Sequence, residues 1–283
     1  MLKVIKSGFY TSIQDCGRFG YRVYGVPVSG SMDLYSSQFA NTVIGNSRND
    51  AVLEITMTGP KLEFLKPTVI AISGADISPT LNEKPIKMDS IITVQVDDVI
   101  NFGALRKGIR AYLAIKGGFR SNKVLESRSM YNGITSSNRI QDYDKLVYES
   151  YINEHRELNA TVKYDRSIIE TDTLEVFKGP EFNRMSKELR TQIINSDYKI
   201  YKLNNRMAYQ FMPLFKNDLK QILTSPVLPG TVQLTPSGQL IVLMRDCQTT
   251  GGYPRILQLS NNAINILSQK TEDNCLKIRL KEF

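Results

Sequence analysis

The sequence predicts a mainly β protein with a few helices, built as barrels or sandwiches rather than as a parallel α/β sheet. Three observations predict it. Short runs rich in β-branched and aromatic residues recur along the chain, each bounded by Gly, Pro, Asn or Asp. Few helical periodicities separate them, so there is no material for repeated crossover helices. The pattern also lapses between about Tyr148 and Asp172, with comparable strand-rich stretches on either side. In the first half, strands are predicted at Ala51–Met57, Thr68–Ser73, Ile91–Val96 and Ala111–Ile115. In the second they are predicted at Leu174–Phe177, Thr231–Leu234, Leu240–Met244, Ile256–Leu259 and Leu276–Leu280. The spacing predicts a first helix capped by Ser31, carrying Tyr35, Phe39 and Val43 and ending at Gly45-Asn46. A second carries Phe182, Met185, Leu189 and Ile193, and a third spans about 262–269. Their apolar stripes read as core-facing surfaces. The polar stretch sets the subdomain boundary, giving 1–160 and 161–283. Met57-Thr58-Gly59-Pro60-Lys61-Leu62-Glu63-Phe64 and Phe177-Lys178-Gly179-Pro180-Glu181-Phe182 form a weak echo between the halves.

Composition excludes several classes. The 283 residues are 41% hydrophobic and 23% charged, ordinary for a globular chain. The longest purely apolar run, Leu240–Met244, cannot cross a membrane, and Met1–Gly8 lacks the apolar core of a signal peptide. Three cysteines (Cys16, Cys247, Cys275) without a CxxC give neither a disulfide framework nor a zinc site, so the expected location is cytoplasmic. A formal charge of +8 is scattered, without a nucleic-acid motif, and no nucleic-acid or membrane partner is expected. The single histidine, His155, sits in a polar stretch and reads as an exposed linker residue. It rules out a histidine-rich metal centre, and no metal ligands are expected. Acid–base chemistry must then come from carboxylates, Lys or Tyr. No GxGxxG and no Gly-Lys pair occur, so a phosphate site would need another scaffold.

Two segments are dense in site chemistry. From Thr11 to Asp33, Gly17, Gly20, Gly25 and Gly30 interleave with Asp15, Arg18, Arg22, Ser29, Ser31 and Asp33. Glycines let backbone approach a ligand closely, and arginine is a forked donor for carboxylate or phosphate. The same composition also suits a tight-turn loop whose polar groups satisfy each other. The second segment, Arg245-Asp246-Cys247-Gln248-Thr249-Thr250-Gly251-Gly252-Tyr253-Pro254-Arg255, follows an apolar strand. It reads either as a polar loop at a barrel mouth or as a long hairpin bulged at Gly251-Gly252. Cys247, with no base in view, reads as an inert buried thiol.

These two segments, with Ala111–Gly118, Ser127-Arg128-Ser129, Lys178–Glu181, Asn205–Tyr209 and Pro229–Gln233 between them, closely resemble the allophanate hydrolase subunit 2 family, also called the biotin-dependent carboxyltransferase-like family. That family includes the C-type subunit of bacterial 5-oxoprolinase and half of the urea carboxylase carboxyltransferase domain. The resemblance runs from the first residues to about Ile266. It implies two linked cyclophilin-like β-barrel subdomains and ATP-dependent opening of 5-oxo-L-proline to L-glutamate. The implied partners are a KipI-like 5-oxoprolinase B-type subunit and a separate A-type subunit. ATP is implied either on this chain or on the complex. Carboxyl transfer from carboxybiotin, urea carboxylase-like, is an alternative with biotin as cofactor. A non-enzymatic antagonist of a KipI-like kinase inhibitor is another. For lactam opening, Arg18 and Arg255 are the expected anion-holding residues, and Asp15 or Asp33 the base or metal-orienting residue. Ser29, Gln248, Thr250, Gly251, Gly252 and Tyr253 are the expected substrate-positioning residues. The two segments are expected to meet in one anion-receiving cavity. The chain departs from the family pattern at Met130–Arg139, which replaces a glycine-rich turn. It departs again at Glu126, where a glycine usually precedes Ser-Arg-Ser, and at Ala208 and Gln210.

Overall fold

A computed structural model describes residues 1–152, 162–202 and 204–282. His155 and the 160/161 boundary lie outside the described residues. Two compact units form: Met1–Arg18 with Ser29–Ile169, and Phe19–Val28 with Glu170–Phe283. A linear reading could not foresee the ten-residue excursion Phe19–Val28, because unit membership there depends on long-range contacts.

The first unit holds β1 (Leu2–Lys6), β2 (Tyr10–Gln14), β3 (Val52–Thr56), β4 (Lys61–Phe64), β5 (Thr68–Asp76) and β6 (Pro79–Leu81). It continues with β7 (Lys84–Pro85), β8 (Ile92–Val94), β9 (Val99–Phe102), β10 (Lys107–Ile115) and β11 (Lys145–Leu146). They form a six-stranded sheet, β11-β1-β4-β9-β6-β7, and a five-stranded sheet, β2-β3-β10-β5-β8. Leu2, Val4, Leu62 and Phe64 from the first sheet and Leu53, Ile70, Ile72, Leu113 and Ile115 from the second share one core. Helix α1 (Leu34–Val43) covers the other face of the five-stranded sheet, where Ala40 and Ile44 meet Val52, Val69, Ala71, Tyr112 and Ala114. Strands β5 and β10 are therefore buried on both faces, which is why they read as continuous apolar runs rather than alternating ones. Asp33, not Ser31, caps α1: its carboxylate accepts the Ser36 amide.

Helix α2 (Ser167–Glu170) falls at the division of the chain. The second unit holds β12 (Thr173–Lys178), α3 (Lys187–Asn195), β13 (Asp197–Ile200), β14 (Ala208–Met212), β15 (Ser225–Pro226) and β16 (Thr231–Leu234). After them come β17 (Leu240–Leu243), β18 (Thr250–Gly251), β19 (Arg255–Leu259), α4 (Asn261–Ser268) and β20 (Cys275–Leu280). Seven strands close a barrel in the order β12-β19-β16-β17-β14-β13-β20, sealed by the parallel pair β12–β20. Ser186 and Ser260 cap α3 and α4. The second predicted helix was too long at its start. Phe182–Arg184 forms a separate 3-10 turn and Met185 is extended, because Ser186 takes the extended backbone of an N-cap.

Candidate functional site

In the first unit the dense segment condenses around Asp15, just past the end of β2. Its Oδ1 accepts from the Gly17 amide (2.8 Å), Ser127 Oγ (2.7 Å) and Ser129 Oγ (2.6 Å), and its Oδ2 accepts from the Arg128 amide (2.6 Å). Ser127-Arg128-Ser129 is thus clasped to one carboxylate. The tight turn before it, Val124–Ser127, places Leu125 and Glu126 at φ +53° and +61°. Arg18 is fully buried and donates through an Nη to the Ser129 carbonyl. Gly30, at φ +87°, rests against the Cys16–Gly17 backbone, where a Cβ would come within 2.9 Å of it. Ser31 N donates to the Asp15 carbonyl. Arg18 and Ser29 are consequently the two feet of the Phe19–Val28 excursion.

A second buried set lies under the start of α1. Asp33 Oδ1 accepts from Ser36 N (3.0 Å) and Oδ2 from Ser36 Oγ (2.5 Å), while Ser36 Oγ also bonds Tyr164 OH (2.6 Å). Glu54, on β3 and fully buried, accepts from Met32 N (2.7 Å) and Tyr112 OH (2.9 Å). Tyr112 OH in turn accepts from Asp33 N. Burial first, then the neighbouring carboxylates, pushes the Tyr112 and Tyr164 phenols well up, so both stay protonated donors and neither serves as a base near neutral pH. Glu54, Tyr112, Ser36 and Tyr164 escaped the sequence reading. Glu54 and Tyr112 lie inside apolar strand runs, and only a buried polar residue at an inward position could have signalled them.

In the second unit the polar loop is not a hairpin. β17 and β19 both pair with β16, so the chain between them crosses the barrel end over β16. The crossing is pinned by a short ladder of Thr250–Gly251 with Ser225–Pro226. Gly251 lies against Gln233, whose Nε2 would meet a Cβ there at 2.5 Å. The Gly252 carbonyl accepts from Ile222 N, and Gln233 Nε2 donates to the Tyr253 carbonyl. Gln248 and Tyr253 are half-buried and Thr250 is exposed. Arg255 is gripped by Glu181: its Nε donates to Oε2 (3.0 Å) and its Nη2 to Oε1 (2.9 Å), and its Nη1 reaches the Pro226 carbonyl. The guanidinium holds the Glu181 carboxyl below the usual carboxylate range. An anion bound by Arg255 must therefore share it with Glu181. Glu181 was visible in the Gly-Pro echo but not as a site residue. At the start of the loop, Arg206 and Asp246 form a buried, two-bonded ion pair at 2.7 and 3.1 Å.

Of the first dense segment, the excursion is the part that joins the second. Arg22 donates to the Val227 and Thr249 carbonyls. Arg18 and Arg255 belong to different units. Burial pushes the Cys247 thiol up to about 11, partly offset by Arg22, and it sits in an apolar cluster with Val227 and Leu243. That environment suits an inert thiol. Among the described residues no group of His, Cys, Asp and Glu side chains could hold a metal ion, and no helix is long and apolar enough to cross a membrane.

Residues 24–280 match the family model of the carboxyltransferase domain, subdomain A and B. The C-type subunit of the Escherichia coli (strain K12) 5-oxoprolinase is 29% identical over 262 residues, covering 90% of this chain and 83% of that protein. The urea amidolyase of Lachancea kluyveri is 45% identical over 130 residues, 46% of this chain but only 7% of that protein. The crystal structure of the K. lactis urea amidolyase superposes with a TM-score of 0.85 at 26% identity, over 98% of this chain; this chain spans 18% of that one.

Proposed function

This chain belongs to the carboxyltransferase-domain family, subdomain A and B, and from that premise we propose that it serves as the C-type subunit of an ATP-dependent 5-oxoprolinase. The observation that carries the reading is extent. The E. coli protein matches nearly end to end, whereas the urea amidolyase match covers a small fraction of a much longer protein. The E. coli relative is itself named as one subunit of an enzyme, which supports action in an assembly with a KipI-like B-type partner and an A-type one.

The reaction converts 5-oxo-L-proline, ATP and water to L-glutamate, ADP and phosphate. Amide resonance makes the lactam carbonyl a poor electrophile and its nitrogen a poor leaving group. Transfer of the ATP γ-phosphoryl group to the carbonyl oxygen removes both obstacles. Such a step needs donors for the phosphoryl and carboxylate oxygens and a group that orients water. Arg18 and Arg255 supply positive charge in the two units. Ser29 in the first unit, and Gln248, Thr250, Gly251, Gly252 and Tyr253 in the second, are the polar and close-approach groups each unit offers to a substrate. Of the two carboxylates, Asp33 is committed to the helix cap and Asp15 to the Ser127–Ser129 clasp. Asp15, which already accepts four hydrogen bonds, acts on water only by exchanging one of them. With no glycine-rich phosphate loop in the sequence, ATP is assigned to the assembly as co-substrate.

A second reading is favoured by the 45% identity over 130 residues to urea amidolyase. In it the same donors hold carboxybiotin, delivered by another chain, and the carboxyl acceptor. L-Glutamate release from 5-oxo-L-proline and ATP, set against carboxylation of urea from bicarbonate and ATP with biotin carboxylase and its carrier, each measured with and without this chain, separates the two. Glutamate release that depends on this chain supports the oxoprolinase, and urea carboxylation that depends on it overturns that reading.

A further inference from the structure

The turn Ser29-Gly30-Ser31 combines a left-handed backbone with two buried hydroxyls that have no partner among the described residues. Ser29 holds a left-handed backbone (φ +57°) although it is not glycine, and Gly30 continues it at +87°. Ser29 and Ser31 are also buried, at 1% and 0% exposure, and their hydroxyls meet no hydrogen-bond partner among the described residues. A buried hydroxyl without a partner is destabilising, and a strained backbone adds to it, so such outliers collect where a ligand or a reaction makes use of them.

The surroundings say what is missing. Three carboxylates are tied to this stretch, and each is occupied by other donors. Asp15 holds Gly17, Ser127, Arg128 and Ser129. Glu54 holds Met32 and Tyr112, and Asp33 holds Ser36. These carboxylates bond other donors while the Ser29 and Ser31 hydroxyls remain unmet, so a ligand group that fits the two O–H donors is an oxygen acceptor. Fully buried Arg18 follows directly in the chain on the Cys16–Gly17 backbone that Gly30 rests against, and its guanidinium reaches the Ser129 carbonyl of the adjoining clasp.

We propose that Ser29 and Ser31 are oxyanion donors whose hydroxyls, beside Arg18, close on a carboxylate or phosphoryl oxygen of the bound substrate. The inference deepens the functional reading above by naming the chemical group received and by adding Ser31 to the site. In the ligand-free chain the turn is held under strain, and the incoming oxygen satisfies it.

The test uses this chain and two variants, Ser29→Gly and Ser31→Ala. Thermal unfolding is followed without ligand, with 5-oxo-L-proline, and with inorganic phosphate. Ser29→Gly is expected to raise the Tm of the ligand-free chain by about 2 °C, because glycine relieves the left-handed strain and removes an unmet donor. Ser31→Ala is expected to leave it level or raise it. Both are expected to weaken the ligand-induced shift of the wild type, with a loss of affinity of about fivefold or more. A response to 5-oxo-L-proline alone assigns the substrate carboxylate, a response to phosphate alone the phosphoryl group, and a response to both the shared oxyanion. Should Ser31→Ala not fold, Ser31→Cys keeps the shape with a weaker donor. Three results each overturn the proposal: a lowered ligand-free Tm in Ser29→Gly, a ligand response equal to wild type in both variants, or no wild-type response to either probe. The phosphate arm does not depend on lactam chemistry, so a chain inactive as an oxoprolinase can still bear out the donors.

Discussion

The Asp15 clasp of the first unit and the Arg245–Arg255 loop of the second use similar residues to opposite ends. Around Asp15, a carboxylate gathers two serine hydroxyls and two backbone amides at 2.6–2.8 Å, and the neighbouring Arg18 is sealed from solvent. Around Arg255, one carboxylate grips one guanidinium, while Gln248, Thr250 and Tyr253 stay half-buried or exposed on a crossing pinned by a two-residue ladder. The first arrangement closes its carboxylate on its own neighbours while leaving the Ser29 and Ser31 hydroxyls of the adjoining turn unmet, and the second is a held loop with side chains left available. Polar density in a sequence therefore marks two different things, and hydrogen-bond closure separates them.

The largest expected effect comes from breaking the clasp. Asp15→Ala removes four hydrogen bonds at once and leaves buried serines unmet. It should lower stability by about 3 kcal/mol, a fall in Tm of roughly 6–10 °C. Calorimetry that finds Asp15→Ala as stable as wild type would move Asp15 out of the scaffold and into the available set.

Next comes the Arg255–Glu181 grip. Removing either partner should lower stability by about 1–2 kcal/mol, and the double variant should cost little more than either single one, which a double-mutant cycle in urea measures. Simple additivity would mean that the pair is not coupled. The grip also carries a pH signature. Glu181 has a folded pKa below its unfolded value, so the unfolded chain binds the extra proton first. Its contribution is fully present above the unfolded carboxylate value of about 4.3 and is lost as pH falls through the folded one. Glu181→Gln should flatten the acid limb of the Tm–pH curve, and an unchanged limb would count against the pair.

How much of this was legible in the sequence depends on what each residue answers to. Strands such as Thr68–Asp76 and Lys107–Ile115 were legible because burial on both faces writes a continuous apolar run. Strands such as Leu2–Lys6 and Lys61–Phe64 were not, since lysine or glutamate breaks up two or three apolar residues over too short a span. Helix caps were half legible: serine and aspartate two positions apart compete, and the structure chose Asp33. In the candidate site, glycines and arginines announced both segments, and Ser127-Arg128-Ser129 could be noticed as a motif. That Ser127-Arg128-Ser129 closes on Asp15, more than a hundred residues away in sequence, is a property of the sheet register and leaves no local trace.

Two smaller effects sharpen the contrast. Glu126 occupies a left-handed position in the turn that feeds the clasp. Glu126→Gly should therefore raise stability by about 0.5 kcal/mol, visible as a small rise in Tm. A fall would mean that the Glu126 side chain has a role of its own. Smallest is a difference in thiol reactivity. Exposed Cys275 should alkylate readily at mildly alkaline pH, while Cys247, buried and with its thiol near 11, should stay unmodified in the folded chain by mass spectrometry. Fast labelling of Cys247 would mean that the loop opens often.

The central claim is that this chain is a working part of a lactam-opening assembly, and omission tests it most directly. L-Glutamate released from 5-oxo-L-proline and ATP is measured for the A-type and B-type partner homologues with and without this chain. The account predicts release only when all three are present. Equal release without this chain, or none with it, would contradict it.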